Sequence, residues 1–191
     1  MRNIHLLVFI QLLSFMTTAQ STINLGISYG RGFSYTKYSP FTRASGISAE
    51  FSTNLQNQAA IRFSAACEGA GPINYREQGL LSAFNSYGTY VVIPLRAGLQ
   101  RFIYNEEAFV FAEIGAGIGF FPQDNTGETN TRVNPSYALG GGYRYHFNER
   151  RYLQGSLSYN RNPYKSSLPF SLSWMLFKVA YGIQWGNKDS H

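Results

Sequence analysis

Hydrophobic and polar residues alternate along eight segments of the chain, and the last segment, from Leu176 to Trp185, shows the alternation most clearly. One face of this segment is aromatic and aliphatic, beginning with Phe177, and the other is small, polar or charged, with Lys178 and Gln184 as examples. Successive side chains of a β-strand point to opposite faces. The pattern therefore predicts eight strands, at Ile23–Phe33, Ser45–Thr53, Gln58–Glu68, Thr89–Phe102, Ala108–Phe120, Pro135–Phe147, Tyr152–Asn160 and Ser171–Trp185.

The connections between the predicted strands alternate between short and long. The second, fourth and sixth are short, at Asn54–Asn57, Ile103–Glu107 and Asn148–Arg151, whereas the third, Gly69–Gly88, is the longest. This alternation is typical of an up-and-down membrane barrel, which has tight turns at its periplasmic end and long loops outside. The sequence therefore predicts an all-β fold, an eight-stranded antiparallel up-and-down transmembrane β-barrel with both termini at the periplasmic end.

None of the positions that we assign to the apolar face of these strands is charged. A charge that faces lipid near the middle of the bilayer costs roughly 2–4 kcal/mol, so a lipid-facing surface requires this pattern. The opposite face holds Gly, Ala, Ser and Gln with isolated charges, which suits a crowded lumen better than bulk water. We expect an outward orientation for Ile23, Leu25, Ile27, Tyr29, Ile47, Ala49, Phe51, Ala59, Ile61, Phe63, Ala65, Cys67, Val91, Ile93, Leu95, Ala97, Leu99, Val110, Ala112, Ile114, Ala116, Ile118, Tyr137, Leu139, Gly141, Tyr143, Tyr145, Phe147, Leu153, Leu157 and Tyr159.

The predicted lumen face collects acids and bases in nearly equal number. An eight-stranded barrel has an interior just wide enough for side chains to fill. Unpaired charges in such a narrow, poorly hydrated space are costly, so an internal network of ion pairs that plugs the barrel is favoured over independent solvated charges. The residues of this predicted network are Glu50, Arg62, Glu68, Arg96, Glu113, Arg144 and Lys178.

The N-terminus has the pattern of a secretory signal peptide. Arg2 precedes a short apolar stretch, and small residues follow up to Ala19. Such a segment is too short and too thinly flanked for a membrane-spanning helix, although an uncleaved anchor is the alternative. We expect residues 1–19 to be a cleaved signal and residues 20–191 to form one outer-membrane barrel domain of a Gram-negative cell.

Aromatic residues gather near the predicted strand ends. Tyr and Trp favour the headgroup level of a membrane, so two girdles are expected, with ordinary strand propensity as the rival interpretation. The periplasmic girdle would hold Tyr143, Tyr145, Phe147, Tyr181 and Trp185, and the outer girdle Phe120, Phe121, Tyr159, Phe170 and Trp174.

Charge and composition limit the classes of partner that the protein is expected to bind. The formal net charge is +6, but the basic residues form no blocks, so nucleic acid is not expected as a partner. Basic loops could meet anionic headgroups. Expected partners are outer-membrane lipid and lipopolysaccharide, the barrel-assembly machinery during insertion, and an envelope or extracellular protein, and the barrel is expected to be a monomer. The single cysteine, Cys67, is interpreted as a small buried or lipid-facing hydrophobic residue rather than a reactive thiol.

The segment Tyr90–Leu99, with its Ile-Pro-Leu core, resembles the fourth strand of PorT-like, "porin family" outer-membrane β-barrel proteins of the Bacteroidetes. The segments Ala112–Gly119, Ala138–Tyr143 and Val179–Trp185 look like the fifth, sixth and eighth strands of that family. The resemblance implies an OmpX-like eight-stranded barrel and brings no catalytic mechanism or cofactor. This chain departs from the usual ending of such barrels, in which an aromatic residue is last, because residues 186–191 follow Trp185. Pro94 removes a ladder donor, so a bulge or local break is expected there.

Three functional classes remain to be weighed. Barrel enzymes need a histidine beside a serine or carboxylate, and after signal removal only His146 and His191 remain, neither in such an arrangement. No metal-ligand spacing or nucleotide motif is present, and Gly140-Gly141-Gly142 indicates close packing within a strand. A wide diffusion pore needs about 16–18 strands.

A membrane-anchored scaffold that acts through its long loops in binding, adhesion or envelope integrity is therefore the favoured class. The alternatives are a narrow diffusion pore or an accessory barrel of a secretion system and, less favoured, a lipid-modifying enzyme. The candidate loop contacts are Tyr75, Arg76, Phe84 and Tyr87, with a merely protective loop as the rival interpretation.

Overall fold

The computed structural model describes residues 20–33, 41–55, 58–72, 90–104, 107–122, 129–163 and 171–186. These residues form eight antiparallel strands in a closed barrel, ordered β1 to β8 around the sheet. The all-β, up-and-down prediction is therefore confirmed. The strands are β1 Ser21–Phe33, β2 Phe41–Asn54, β3 Ala59–Pro72, β4 Tyr90–Tyr104, β5 Ala108–Pro122, β6 Thr129–Asn148, β7 Arg151–Pro163 and β8 Ser171–Trp185.

The first and last strands close the barrel. Ser21 is the register partner of Trp185, and the β1–β8 pairing continues without a shift to Phe33 and Ser173. Closure removes the free sheet edges that would otherwise expose unpaired backbone groups. Both ends of the described chain therefore lie at the same end of the barrel as the short connections 55–58, 105–107 and 149–150. We call this the turn end, and the opposite end the loop end.

Several strands are longer than the alternating hydrophobic segments from which they were predicted. β8 has the predicted bounds, but β6 begins at Thr129 rather than Pro135. Its added residues pair with the end of β5, where Pro122 is the partner of Thr129. Alternation of greasy and polar residues marks only the part of a strand that faces lipid, whereas ladder pairing continues past it. The strands are thus longer than the sequence pattern alone predicts.

The outer surface of the barrel is apolar and the inner surface is polar. Ile114 is 71% exposed, whereas Arg62 and Gln154 are buried. Every position that we assigned to the outer face is exposed or half-buried, so the assignment is confirmed. This is the inverse of a water-soluble protein and suits a barrel surrounded by lipid. Among the described residues, no helix is long and apolar enough to cross a membrane.

Pro94 interrupts pairing on one side only. The β4–β5 register runs through Pro94 and Gly117 without a shift. On the β3 side, partners are present at Leu95 and at Val92, but not at the two positions between them, and the register is unchanged. The predicted local break is therefore present without a bulge, as the missing N–H of proline requires.

The outward orientation that a girdle requires is present at the turn end and absent for one residue at the loop end. Tyr143, Tyr145, Phe147 and Trp185 are exposed on the outer face. Trp174, by contrast, is 1% exposed and lies inside the barrel, so its assignment to the outer girdle was wrong. Its place in β8, one residue before the outward Met175, puts it on the lumen face. Phe170, the side chain of Phe121 and residues 1–19 lie outside the described part.

Candidate functional site in the barrel lumen

Four charged side chains from four strands meet inside the barrel. Glu50 of β2, Arg62 of β3 and Glu113 of β5 are at most 6% exposed, and Lys178 of β8 has a side chain that is 11% exposed. Each lies on the inward face of its strand because its two chain neighbours point outward. We call these four residues the Glu50 cluster.

Arg62 stands at the centre of this cluster. Its Nη2 lies 2.7 Å from Glu50 Oε1, and its Nε donates to Glu113 Oε1 at 2.5 Å. Its Nη1 donates to Gln100 Oε1 at 3.2 Å, and its guanidinium carbon lies 4.1 Å from the centroid of the Phe111 ring. The fork of donors on arginine matches this set of acceptors. Arg62 thereby crosslinks β2, β4 and β5 to β3.

The Glu50 carboxylate gathers donors from several strands. Oε1 forms an ion pair with Lys178 in addition to the one with Arg62. Oε2 accepts from the side-chain amides of Gln154 at 3.3 Å and Asn24 at 3.5 Å. A buried carboxylate is stable only when charges and hydrogen bonds replace its lost hydration. Glu50 is therefore the residue on which most of the lumen contacts converge.

A second group lies nearer the loop end. Glu68 Oε1 is 3.6 Å from Arg96 Nη1, and Glu68 Oε2 accepts from the indole of Trp174 at 2.8 Å. Arg96 Nε donates to Ser136 Oγ at 2.7 Å. We call Glu68, Arg96 and Trp174 the Glu68 cluster. It ties β3, β4, β6 and β8 together, and it separates the loop end from the Glu50 cluster.

Aromatic rings close the lumen toward the turn end. The guanidinium carbon of Arg144 lies 4.7 Å from the centroid of Tyr152, 4.9 Å from that of Phe102 and 5.5 Å from that of Phe109. Arg144 Nε donates to Gln154 Oε1 at 3.1 Å, which links this arginine to Glu50 through one amide side chain. We call Arg144 and the three rings the Arg144 cage. The cage is buried, so rings and guanidinium together fill this end of the barrel.

Glycines in β6 make room for the rings. A Cβ placed on Gly140 would come within 2.7 Å of the Phe111 ring, and one on Gly142 within 2.8 Å of the Phe109 ring. The carbonyl oxygens of Leu157 and Gly155 on β7 would lie even closer to these two Cβ atoms, so a larger residue would displace both a ring and the neighbouring strand. The close packing predicted from Gly140-Gly141-Gly142 is therefore confirmed.

The space left between the clusters is small. A cavity of about 30 Å³ is lined by Glu50, Glu68, Lys178 and their neighbours. This is room for about two water molecules, because one water needs roughly 10–15 Å³ of such space. It is far smaller than the roughly 300–1,000 Å³ of a small-molecule site. The described residues contain no group of three or more His, Cys, Asp or Glu side chains that could hold a metal ion.

The predicted lumen residues lie in three neighbouring groups. Ion pairs join Glu50, Arg62, Glu113 and Lys178, and Arg96 meets Glu68. Arg144 is linked to Glu50 through the side-chain amide of Gln154. The predicted loop contacts Tyr75, Arg76, Phe84 and Tyr87 lie outside the described residues. The lumen rings and Trp174 were missed, because an aromatic residue near a strand end fits either an outer girdle or the lumen, and alternation alone does not show which rings meet inside the barrel.

Comparison with solved structures identifies the fold of this chain. No family model matches the chain, and no curated relative matches it. The crystal structure of Ail, the attachment invasion locus protein of Yersinia pestis, matches with a TM-score of 0.58 and 19% identity over 88% of this chain and 99% of that one. The outer membrane protein OprG from Pseudomonas aeruginosa matches with a TM-score of 0.55 and 9% identity over 90% and 98% of the two chains.

Neisserial surface protein A matches with a TM-score of 0.53 and 10% identity, covering 87% of this chain and 97% of that one. At these identities the likeness concerns the path of the backbone. Together with the closed strand order, it shows that this chain has the fold of the small eight-stranded outer-membrane β-barrels.

Proposed function

We propose that this protein is a closed scaffold in the outer membrane of a Gram-negative cell, and that it acts through its loop end by binding an envelope or extracellular partner. The observation that carries the proposal is the filled lumen. The Arg144 cage, the Glu50 cluster and the Glu68 cluster follow one another along the barrel, with a cavity of about 30 Å³ between the last two. A barrel filled in this way does not form a wide pore, so its ends are the candidate functional surfaces.

The membrane location is supported by the apolar outer face and by the fold. Two tryptophans allow a direct test, because Trp185 is 43% exposed on the outer face and Trp174 is buried in the lumen. Brominated lipids quench only tryptophans that contact acyl chains or their headgroup region. In vesicles, the Trp174→Phe protein should remain strongly quenched and the Trp185→Phe protein weakly quenched. Equal quenching of both would contradict the assignment of the two faces.

The loop end is the candidate binding surface. The strand bounds leave four connections there, at residues 34–40, 73–89, 123–128 and 164–170. The longest of them, 73–89, contains Tyr75, Arg76, Phe84 and Tyr87. Tyrosine, phenylalanine and arginine are residue types that carry much of the binding energy at protein interfaces. One structural neighbour is named an attachment protein, which makes adhesion the first binding activity to test.

A loop replacement separates binding from folding. Residues 73–89 would be exchanged for a short Gly-Ser linker, with the same exchange of residues 123–128, which contain no aromatic or basic residue, as the matched control. Cells that display each protein would be assayed for attachment to host-matrix surfaces and for capture of envelope proteins. The proposal expects binding that is lost with the first exchange and kept with the second. Binding that survives both exchanges, or no binding by the intact protein, would contradict it.

The proposal contains no catalytic step. His146, the histidine of the described part, packs with its ring centroid 5.2 Å from that of Tyr152 at the turn end, where it serves the packing of the cage. We retain the PorT-like family of the Bacteroidetes as part of the proposal, supported by the Tyr90–Leu99 segment that forms most of β4. A signal peptide at residues 1–19, insertion by the barrel-assembly machinery and a monomeric state also belong to it.

A further inference from the structure

Two buried side chains near the loop end of the lumen have polar atoms without partners. Asn162 of β7 is 2% exposed, and neither its Oδ1 nor its Nδ2 has a hydrogen-bond partner among the described residues. Arg96 of β4 is 7% exposed, and its Nη2 also lacks such a partner in the described part of the chain. Buried polar atoms are nearly always hydrogen-bonded in folded proteins, so these three atoms require an explanation.

Gly117 and Ser136 bring these two side chains into one site. A Cβ placed on Gly117 would lie 3.1 Å from Asn162 Oδ1 and 3.6 Å from Ser136 Cβ. Ser136 Oγ in turn accepts from Arg96 Nε at 2.7 Å. The glycine therefore leaves a small space that the Asn162 amide borders, and Ser136 lies between this space and the guanidinium. We call Asn162, Arg96, Gly117 and Ser136 the Asn162 site.

The Asn162 site lies on the loop side of the Glu68 cluster. Asn162 is the last residue but one of β7. Asn160, two residues further from the loop end, is the register partner of Trp174 in the Glu68 cluster. The three lumen clusters fill the barrel from there to the turn end. A ligand of the Asn162 site must therefore enter from the loop end, which is the end that we propose to bind a partner.

The charge around the site favours an acidic ligand. Among the described strand residues on the loop side of the Glu50 cluster, the one acid is Glu68, which already pairs with Arg96. The bases of the same region are Arg31, Arg43, Arg96, Arg132 and Arg161. A surplus of positive charge around an opening attracts anionic groups and speeds their association.

We propose that the Asn162 site binds an acidic peptide segment of the partner, with an Asp or Glu side chain inserted into the loop end of the lumen. Arg96 Nη2 and Asn162 Nδ2 donate to its carboxylate, and Asn162 Oδ1 accepts from a backbone N–H of the same segment. Hydrogen bonds between a guanidinium and a carboxylate are among the strongest in proteins. A simple anion has no N–H for Asn162 Oδ1, whereas a peptide supplies both a charge and a donor. This inference rests on the proposed function and specifies the chemistry of the partner.

The unpartnered amide also has a consequence for stability. Asn162→Leu keeps nearly the same side-chain size and removes both unpartnered atoms of this residue. Burying an amide without partners is unfavourable. Asn162→Leu should therefore unfold in vesicles at the same urea concentration as the wild type or at a higher one. The variant remains folded, so that a loss of binding reports on the site itself.

Tryptophan fluorescence measures binding at this site. The chain has two tryptophans, so the Trp185→Phe protein reports on Trp174 alone, whose indole donates to Glu68 beside Arg96. The full chain in detergent is titrated with a capped peptide of alternating glycine and glutamate, and its glutamine counterpart is the control ligand. The glutamate peptide should change the fluorescence of Trp174 to saturation. Asn162→Leu should raise the half-saturating concentration about tenfold, as expected for a lost hydrogen bond to a charged group.

Two further variants separate the site from general charge. Gly117→Ala fills the space beside Asn162 without removing a polar group, so it should weaken binding about fivefold through overpacking. Arg161→Gln, next to Asn162 in the chain but on the outer face, is the matched control. It removes a solvent-screened charge and should change binding by less than about twofold. Heat-modifiable migration on a gel confirms that each variant is folded.

The site and the proposed function fail in different assays. The protein with residues 73–89 exchanged keeps every residue of the Asn162 site, so it should lose attachment yet retain the response of Trp174 to the glutamate peptide. The acidic-peptide site is overturned if Trp174 does not respond, if the glutamine peptide binds equally well, or if Asn162→Leu binds with wild-type affinity. A saturable response to the neutral sugar maltohexaose, with none to the peptide, would overturn it in favour of a glycan.

Discussion

Replacing Glu50 by glutamine tests the lumen at its most connected point. The side chain keeps its size and one acceptor oxygen, but it loses the charge that pairs with Arg62 and Lys178. Arg62 retains Glu113, whereas the described residues offer Lys178 no other acid. A charge left uncompensated in a protein interior costs about 3–5 kcal/mol. We therefore expect the free energy of unfolding to fall by about 3–5 kcal/mol in Glu50→Gln.

The assay is urea unfolding of the protein folded in lipid vesicles, followed by tryptophan fluorescence and by gel mobility. Lys178→Met in the same chain removes the uncompensated charge, so the double variant should recover part of the loss, with a coupling of about 0.5–3 kcal/mol. Glu149→Gln, in an exposed turn, is the matched control and should stay within about 0.5 kcal/mol of the wild type. A loss below about 1 kcal/mol for Glu50→Gln, or no coupling to Lys178, would refute this reasoning.

Two further substitutions test packing and membrane depth. Gly142→Ala should lower the free energy of unfolding by about 1–3 kcal/mol because its Cβ would meet the Gly155 carbonyl oxygen and the Phe109 ring. Gly155→Ala, with nothing within 4 Å of its Cβ, should be neutral in the same urea titration. Ile114→Arg, in the middle of β5, should cost about 2–4 kcal/mol, and Ile103→Arg, at the turn end of β4, about 0–1 kcal/mol, although the wild-type side chains are 71% and 62% exposed. Equal costs within either pair would contradict the packing or the depth assigned here.

The barrel fold could be predicted from the sequence because the whole outer face must be apolar to suit lipid. Lipid excludes charge from every outward position near the midplane, so alternation is strict in strands such as β8, whose bounds were predicted as Ser171–Trp185. The beginning of β6 was missed because residues 129–134 extend beyond the apolar band and are mostly polar. Arg31 and Arg101 fall on the outer face of predicted strands but near their ends, where the rule against charge no longer applies.

The partners inside the lumen could not be predicted from alternation. The pattern places Glu50, Glu68 and Arg96 on the inner face, but their contacts depend on the stagger between strands that are distant in sequence. Trp174 shows the same limit, since an aromatic residue near a strand end fits either a girdle or the lumen. Its hydrogen bond to Glu68 spans 106 residues of sequence, and only the register of the closed barrel brings the two together.

The central claim, a barrel closed by its own side chains, is tested most directly by current recording across a planar bilayer. Quenching of Trp185 by brominated lipid first establishes that the protein is inserted. The Arg144 cage, the Glu50 cluster and the Glu68 cluster then predict that the inserted wild-type protein leaves the membrane resistance unchanged. A steady, large conductance that grows with the amount of inserted protein would contradict the closed scaffold and make a diffusion pore the leading account.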